Sequence, residues 1–507
     1  MDIFEVFFNE SDVYKARFQN KGYPHFDSEF SKAKVKKILD NLKSNAKLQH
    51  SFYPLIRYEI PKRKRSEEGA IYIDQQNPRY IMHTARVDSN IYHFYRNIIM
   101  NSYESLLKDL EIEDCVIAYR KIPVNDNTLN KNKCNIHFAN EAIEEIKQQT
   151  SIYGECCAIA MDIKGFFDNL DHNLIKKQWS RVMKFDNGLP DTHFTIFKNI
   201  TKFSYIDSKK LECVLNIDIQ KIYNENNKIR KESITSGKCN QKLRLKLCND
   251  SNFKKFVVPN LEKNDEKGIP QGSPISDVIA NIYMIDFDLS MKKFANQHNG
   301  YYKRYSDDIL FVCPQEYQAK TVDFIHAQIS LIKLNISEGK TLISIFRKTA
   351  EELTYLTYKG KSQKIIKKPF EYLGLSFDGK IKNIRNTTIS NFYCRLTARI
   401  KKEVYIATQK LLERPNKQLT FEEIYKRISF DMIRNSYMKN KEKNVDKEFS
   451  GNFYTYVERV AEITGNIKVK NIFKGKRLNL FIKKKAKENC IYVAGKSSST
   501  AYKMKNF

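Results

Sequence analysis

The sequence has few acidic residues, a single Trp and no long apolar run. Its 507 residues include 88 Lys and Arg against 59 Asp and Glu, so the formal net charge is +29. This excess excludes an ordinary near-neutral surface and is typical of proteins that bind a polyanion, although genome-wide Lys enrichment produces the same balance. With 29 Tyr, 32 Phe and a hydrophobic fraction of 41%, the chain is not a disordered basic tail. We expect about two to four folded domains.

Zinc-binding patterns and membrane spans are also missing. The ten cysteines form no CxxC pair and no Cys/His spacing suited to zinc, so we interpret them as reduced residues. No stretch approaches the ~18 uncharged apolar residues that would suggest a membrane span. The first residues carry acids where a secretory signal needs a basic start. We expect a cytoplasmic protein with no membrane partner.

Hydrophobic periodicity predicts the order of helices and strands along the chain. Strand-like segments flank the charged run KRKRSEEG, and the stretch 201–264 is rich in Lys and Asn with weak periodicity, as expected for an insertion or a peripheral lobe. From about residue 381 the sequence is mainly helical and basic. Helices are predicted over 31–48, 90–107, 139–149, 173–183 and 321–334.

Two acidic clusters carry the clearest chemical signal. Asp307 and Asp308 lie between the strand-like runs YYKRY and ILFVC, where a hairpin turn would lift them to the rim of a sheet. A second apolar strand, Ala158 to Met161, ends on Asp162. Adjacent acids beside a hydrophobic hairpin are costly unless a cation neutralises them. The alternative is that the two adjacent aspartates only end a solvated turn.

Oxygen ligands from two strands suit Mg²⁺, which prefers carboxylates, water and substrate phosphates. Two such ions about 4 Å apart can activate an attacking oxygen and stabilise the leaving pyrophosphate of a nucleotidyl transfer. The acidic clusters therefore predict a site for two metal ions.

The same segments resemble the motifs of reverse transcriptases. YSDD resembles their YxDD box, and DIKGFFDNLDH resembles their first catalytic-aspartate motif. Four further blocks resemble the fingers motif with its arginine, the QGxxxSP segment, the later lysine motif and the primer-grip hairpin. They are NPRYIMHTARVDSNIYHFY (77–95), IPQGSPIS (269–276), LNISEGKT (334–341) and EYLGLSF (371–377). The resemblance covers roughly residues 56–377.

The resemblance implies roles for individual residues. Three carboxylates and one backbone carbonyl would hold two Mg²⁺ ions, with Mn²⁺ as a substitute, and an aromatic steric gate would exclude a ribose 2′-OH. The implied metal ligands are Asp162, Ile163, Asp307 and Asp308, of which the three aspartates are catalytic. The implied nucleotide-binding residues are the gate Phe167, then Gln271, Gly272, Lys340 and Arg79, and Tyr305 and Ser306 complete the active-site motif. Lys62 to Lys64 could share the phosphate contacts, and a core position is the alternative for Phe167.

The resemblance also implies the fold and the partners. The fold would be an α+β right-hand polymerase with fingers, an antiparallel-sheet palm and a helical thumb. The partners would be an RNA template, an RNA/DNA duplex and dNTPs. The implied regions are a helical extension over 1–50, fingers and the start of the palm over 51–160, a palm over 161–380 with an insertion at about 201–264, and a basic thumb and RNA-binding region over 381–507.

Other segments suggest the subfamily. CVIAYRKIP (115–123) and the following NIHFANEAIEEI are similar to the bacterial defence-associated, Abi-like or unknown-group, reverse transcriptases. That resemblance implies an anti-phage role, often with a noncoding RNA as template, and in some members homo-oligomers or priming from a protein hydroxyl. Tyr492 and Tyr502 are candidates for such a hydroxyl, although ordinary tyrosines are the simpler interpretation.

Several alternatives stay open at this point. NAKLQH (45–50) has the wrong spacing and position for the NAxxH element of retrons, which weakens that assignment. A group II intron-like reverse transcriptase, an RNA-templated RNA polymerase and an RNA-binding scaffold with a vestigial polymerase site are the others. Three uncompensated aspartates argue against the scaffold, and the gate Phe167 argues against ribonucleotide use.

Overall fold

A computed structural model describes residues 23–27, 50–61, 63–65, 71–73, 78–124, 132–235, 245–349, 352–360, 364–413, 420–438, 452–473 and 476–496. The helix predicted over 31–48 lies outside these residues. The chain divides into two compact units. Unit 1 comprises Met1–Arg120, Met161–Phe311 and Ala319–Thr341, and unit 2 comprises Lys121–Ala160, Val312–Gln318 and Leu342–Phe507.

The described residues form mixed helices and sheets. The strands are β1 Leu55–Ile60, β2 Arg63–Arg65, β3 Ile71–Ile73, β4 Arg79–His83, β5 Glu155–Asp162, β6 Ser204–Asp207, β7 Glu262–Lys263, β8 Tyr301–Tyr305, β9 Asp308–Pro314, β10 Leu342–Lys348, β11 Leu353–Lys359, β12 Lys364–Ile366, β13 Phe370–Tyr372, β14 Leu375–Phe377 and β15 Lys382–Ile384. The helices are α1 Arg86–Asp109, α2 Asn135–Tyr153, α3 Phe166–Asn169, α4 His172–Met183, α5 Asp191–Thr201, α6 Ser208–Leu215, α7 Ile219–Thr235, α8 Asp250–Asn252, α9 Ser276–Tyr283, α10 Ile285–Gln297, α11 Gln318–Leu331, α12 Asn386–Leu412, α13 Phe421–Lys426, α14 Phe430–Asn435, α15 Phe453–Thr464 and α16 Lys476–Lys496. The predicted α+β class is confirmed.

A six-stranded sheet carries both acidic clusters. Its strand order is β12-β11-β10-β5-β9-β8. The described pairs β10–β5 and β10–β11 are antiparallel, with Ile343 opposite Ile159 and Tyr358 respectively. Residues 309–313 of β9 are all buried, which explains why this strand is a continuous apolar run without polar alternation. The strand, turn and strand predicted around YSDD are confirmed as β8 and β9.

A four-stranded sheet in unit 1 has the order β4-β1-β6-β7. β1 pairs antiparallel with β4 and parallel with β6. The segment 201–264, predicted as an insertion or a peripheral lobe, thus supplies two strands to this sheet, and its Ile206, Leu211 and Val257 are buried in one cluster with Ile56. Its core residues are too widely spaced among Lys and Asn to produce a clear periodicity.

Unit 2 contains the helical C-terminal part of the described chain. α12 buries Phe392, Leu396 and Ile400 at helical spacing, against Ile482 and Ala486 of α16 among others. The rings of Phe392 and Phe453 stack with centroids 4.1 Å apart. The predicted helical character of this region is confirmed.

The single Trp makes the stability of unit 1 measurable as a function of pH. Trp179 is fully buried, and its indole N–H donates to Nδ1 of His193 over 3.2 Å. Burial lowers the pKa of His193 from 6.5 to about 4. Because the unfolded chain binds this proton more tightly, the stability is complete above pH 6.5 and falls as the pH drops toward 4, by roughly 2–3 kcal/mol from this residue.

Urea unfolding followed by Trp179 fluorescence at pH 7 and pH 4.5 measures this loss. His193→Gln keeps an acceptor for the indole and removes the titration, so we expect its stability to fall less between the two pH values than that of the wild type. Equal losses in the two proteins would show that His193 does not carry the effect.

Candidate active site

Backbone hydrogen bonds bring the two acidic clusters together in unit 1. The N–H of Ile163, next to Asp162 at the end of β5, donates to the carbonyl of Asp307 over 3.1 Å. The N–H of Ser337 donates to the carbonyl of Asp162 over 2.7 Å. Three segments that are distant in sequence, the first aspartate motif, the YSDD turn and the lysine motif, therefore meet at Asp162.

The YSDD turn presents its two aspartates differently. Ser306 adopts a left-handed conformation with φ 60° and is buried, whereas Asp307 is half-buried and Asp308 is exposed. The expectation that the turn keeps both aspartates from being buried is therefore met fully by Asp308 and in part by Asp307. Burial raises the pKa of Asp307, the charge of Asp162 raises it further, and the Lys340 ammonium opposes both.

Lys340 neutralises Asp162. Its Nζ lies 2.6 Å from Oδ1 of Asp162, and its side chain is 64% exposed, against 15% for Asp162. The lysine lies in a short 3₁₀ turn, Glu338–Lys340, directly before β10. An exposed ammonium on a flexible stem can leave the carboxylate and contact a phosphate without a backbone movement.

The oxygen donors of the first group suit Mg²⁺. In the described part of the chain, no three His, Cys, Asp or Glu side chains are grouped closely enough to hold a metal ion. Asp162 and Asp307 nevertheless form a pair of carboxylates whose negative charges repel each other. Mg²⁺ is commonly bound by one or two carboxylates, with water and substrate phosphates completing the shell. The pair fits Mg²⁺, while Asp308 and the Ile163 carbonyl stay predicted ligands.

Four of the five predicted nucleotide-binding residues, all except Lys340, lie in a second, connected group. The N–H of Ile269 donates to the carbonyl of Phe167 over 2.9 Å, and the N–H of Met82 donates to the carbonyl of Gln271 over 2.8 Å. Nε of Arg79 donates to Oε1 of Gln271 over 3.4 Å. The loop before α9 therefore connects the steric-gate candidate to β4, the strand that carries Arg79, the predicted fingers arginine.

Only glycine fits at position 272, because the backbone of Met82 lies too close for a Cβ atom. Its φ is +113°, and a Cβ atom there would lie 2.7 Å from the carbonyl oxygen of Met82 and 2.9 Å from Cγ2 of Ile81. Gly272→Ala is therefore expected to lower the free energy of unfolding by ~1 kcal/mol because alanine disfavours a positive φ. The overlap of its Cβ with Met82 and Ile81 should lower it by about 1–3 kcal/mol more. Thermal unfolding of the two proteins gives the difference.

Gly188→Ala is the matched control for this substitution. Gly188 also has a positive φ, +83°, but a Cβ atom added there would meet no other atom within 4 Å. We expect Gly188→Ala to show only the conformational cost. Equal destabilisation by the two substitutions would mean that the approach of Met82 does not restrict position 272.

Some predicted residues lie outside the two groups or outside the described residues. Lys62 and Tyr502 lie outside the described residues, and Arg63 and Lys64 belong to β2, which pairs antiparallel with β3. Tyr492 lies on α16 and is 48% exposed. These residues stay outside the two groups described above.

Sequence reasoning missed three residues that contact the YSDD turn or support it. The hydroxyl of Tyr119 donates to Oγ of Ser306 over 3.1 Å, and the buried guanidinium of Arg304 donates to the carbonyl of Ser306 and to the carboxylate of Asp288. A signal was present, because Arg304 occupies a core-facing position of β8 and Asp288 interrupts the apolar run MIDFDLSM.

Residues 174–377 match the family model described as reverse transcriptase (RNA-dependent DNA polymerase). The match includes Gln271, Gly272, Asp307, Asp308 and Lys340, and it begins after Asp162 and Phe167. Residues 174–377 therefore carry a reverse transcriptase domain. No curated protein matched the sequence.

Solved structures similar to this chain include telomerases from two Candida species. The apo telomerase of Candida tropicalis without its C-terminal domain is 11% identical, with a TM-score of 0.35, and the match covers 66% of this chain and 60% of that one. The longer apo telomerase of the same organism is 13% identical, with a TM-score of 0.37 and coverage of 92% and 73%. The telomerase of Candida albicans in complex with a TWJ fragment of telomeric RNA is 13% identical, with a TM-score of 0.37, and the match covers 93% of this chain and 72% of that one.

Among the described residues, no helix combines the length and the apolar character needed to cross a membrane.

Proposed function

We propose that this chain copies an RNA template into DNA by Mg²⁺-dependent nucleotidyl transfer. The observation that carries the proposal is the meeting of Asp162 and Asp307, whose backbone segments are joined by the hydrogen bond from Ile163 to Asp307. Two carboxylates that repel each other suit a divalent cation. The basic surface of the protein suits a polyanionic substrate. The reverse transcriptase domain that follows Asp162 in the chain agrees with this chemistry.

Asp162, Asp307 and Asp308 would hold the metal ions, with the Ile163 carbonyl as a further ligand. When bound, the ions supply Lewis-acid activation of the attacking primer oxygen and of the leaving pyrophosphate. Lys340 and Arg79 bind phosphate oxygens, and Lys340 exchanges its contact with Asp162 for one with the nucleotide. Gly272 lets the nucleotide approach the backbone, Gln271 offers a donor and an acceptor, and the ring of Phe167 excludes a 2′-OH.

The direct test is extension of a DNA primer on an RNA template by the purified full chain with Mg²⁺. We expect dNTPs to be incorporated in a template-dependent manner and rNTPs to be rejected. A protein that binds the template–primer duplex without extending it would be an RNA-binding scaffold. Preferential incorporation of rNTPs would indicate RNA synthesis instead.

The proposal extends to the template, a noncoding RNA, and to the biological role, defence against phage. The likeness of residues 115–123 to defence-associated reverse transcriptases supports an anti-phage role with a noncoding RNA template, against a group II intron-like or retron role. Three lysines of α16, namely Lys483, Lys484 and Lys487, are exposed and offer phosphate contacts to such an RNA. Sequencing the RNA and cDNA that copurify with the chain identifies template and product. A genomic neighbourhood rich in intron sequences would favour the intron role.

Mass spectrometry of the chain after synthesis tests protein priming. A nucleotide adduct on a tyrosine such as Tyr492 or Tyr502 would establish it, and its absence from every Tyr, Ser and Thr would remove it. The mass of the native particle, measured alongside, decides between a monomer and a homo-oligomer.

A further inference from the structure

We propose that the buried pair of Arg304 and Asp288 is a positioning device that holds the YSDD turn in the conformation in which Asp307 lies beside Asp162. The inference rests on the proposed polymerase function. It adds residues that do not themselves contact substrate or metal and that act on the site through the backbone of Ser306.

The pair lies entirely inside unit 1. Arg304 on β8 and Asp288 on α10 are both 0% exposed. Nε and Nη2 of Arg304 donate to the two carboxylate oxygens of Asp288 over 2.7 and 2.6 Å, so the contact is bidentate. The hydroxyl of Tyr302 donates to Oδ1 of Asp288 over 2.6 Å, which further fixes the carboxylate.

The remaining nitrogen of the guanidinium reaches the turn. Nη1 of Arg304 donates to the carbonyl of Ser306 over 3.0 Å and to Oδ1 of Asn281 over 3.3 Å. Nδ2 of Asn281 in turn donates to the carbonyl of Ala118 over 3.0 Å, next to Tyr119, whose hydroxyl bonds Oγ of Ser306. Ser306 is therefore held both at its carbonyl and at its side chain.

These hydrogen bonds stabilise a strained backbone conformation at Ser306. A non-glycine residue at φ 60° is strained, and such a conformation persists only where its surroundings determine it. The next residue is Asp307, whose carbonyl accepts from Ile163 beside Asp162. A shift of the Ser306 carbonyl would therefore change the position of Asp307 relative to Asp162.

Stability alone does not account for the pair. Removing two charges from water is costly, and apolar residues of similar volume often serve a core equally well or better. What an apolar pair cannot supply is a directional hydrogen bond to the Ser306 carbonyl. That bond is the feature that a positioning role requires.

Unit 1 also contains a matched control pair. Arg86 is 0% exposed and Asp27 is 5% exposed, and Nη1 of Arg86 lies 3.2 Å from Oδ1 of Asp27. Arg86 likewise donates to backbone carbonyls, those of Asp27 and Tyr23. The segment 23–27 carries none of the candidate site residues, so the same substitution there changes a buried ion pair without touching the YSDD turn.

The experiment compares Arg304→Lys with Arg86→Lys in the full chain. Each variant is characterised by thermal unfolding, by kcat and KM in primer extension at a temperature where it is folded, and by Mn²⁺ binding followed by electron paramagnetic resonance. We expect similar stability losses. We also expect Arg304→Lys alone to lower kcat by about 100-fold and to weaken Mn²⁺ binding by about 10-fold, with KM for the template–primer duplex unchanged.

Wild-type kcat and wild-type Mn²⁺ affinity in folded Arg304→Lys would overturn the positioning role, as would equal losses in Arg86→Lys. If Arg304→Lys does not fold, Asp288→Asn replaces it, because asparagine keeps the side-chain volume while removing the charge that orients the guanidinium. The same reduced kcat and Mn²⁺ affinity are expected, and wild-type values would overturn the role.

The Mn²⁺ arm separates this inference from the proposed function. A wild type that binds Mn²⁺ but extends no primer, with weaker binding in Arg304→Lys, would remove the polymerase function and keep the positioning role. A wild type that neither binds Mn²⁺ nor extends a primer would remove both.

Discussion

Asp307→Asn is expected to reduce RNA-templated DNA synthesis by about 1,000-fold or more while making the fold more stable. Asparagine has the shape of aspartate but lacks the charge that would hold the metal ions, so transition-state stabilisation at the reacting phosphate is lost. Burial raises the pKa of Asp307, so its ionised form lowers the stability of the folded state at neutral pH. Removing that charge relieves the cost, and we expect the melting temperature to rise.

Primer extension and thermal unfolding measured on the same preparation test both parts. Asp323→Asn is the control, because Asp323 is an exposed aspartate of α11 and belongs to neither residue group of the candidate site. We expect it to leave both quantities unchanged. Wild-type synthesis by Asp307→Asn would remove this residue from the metal site, and a fall in the melting temperature would contradict the charge argument.

Phe167→Ala is expected to admit ribonucleotides, lowering the preference for dNTPs over rNTPs by about 100-fold or more. The preference of a packed pocket against an added hydroxyl is of about this size, and it depends on the ring filling the space. Phe167 lies on the short helix α3, its ring centroid is 5.5 Å from that of Phe166, and its carbonyl accepts from Ile269. These contacts hold the half-buried ring against Phe166 and the backbone of Phe167 against Ile269, two residues before Gln271.

Competition between dCTP and rCTP on one RNA template measures the ratio of their kcat/KM values. Phe167→Tyr is the matched control, since it keeps the ring, and we expect it to reject rCTP as the wild type does. If Phe167→Ala leaves the ratio unchanged but unfolds at a lower temperature, Phe167 is a core residue and not a gate.

The stability argument for Asp307 agrees with a general feature of active sites. Charged groups placed close together lower stability and are retained where they serve function. In this chain the cost in stability falls mainly on Asp307, which is half-buried and near a second negative charge. Asp162 is compensated directly by Lys340.

Local patterns predicted the parts of the protein that depend on near neighbours in sequence. Alternating and continuous apolar runs predicted β5, β8 and β9, since strand burial is visible in a few consecutive residues. The same runs showed that Asp162 and Asp307 lie at strand ends. The steric-gate and nucleotide-binding roles came only from resemblance and stay predictions.

The segment 201–264 shows where this reasoning stops. Its composition predicted an insertion or a peripheral lobe but not its strand pairing: β6 lies beside β1 in a four-stranded sheet, more than a hundred residues away along the chain. Composition reports the solvated residues of such a segment, while a few buried ones, such as Ile206, decide its place. Strand pairing over this separation depends on the whole core.

By itself, the sequence determined the acidic strand ends and the basic character, because each depends on residue chemistry or on short-range periodicity, whereas the α+β class came from the resemblance to reverse transcriptases. Only the tertiary structure decided that Asp307 lies beside Asp162 and that Lys340 pairs with Asp162. It also decided that Asp288, a charge within an apolar run, pairs with Arg304, whose guanidinium contacts the YSDD turn. A buried charge is stable only with a partner, and which partner it finds is a property of three-dimensional packing.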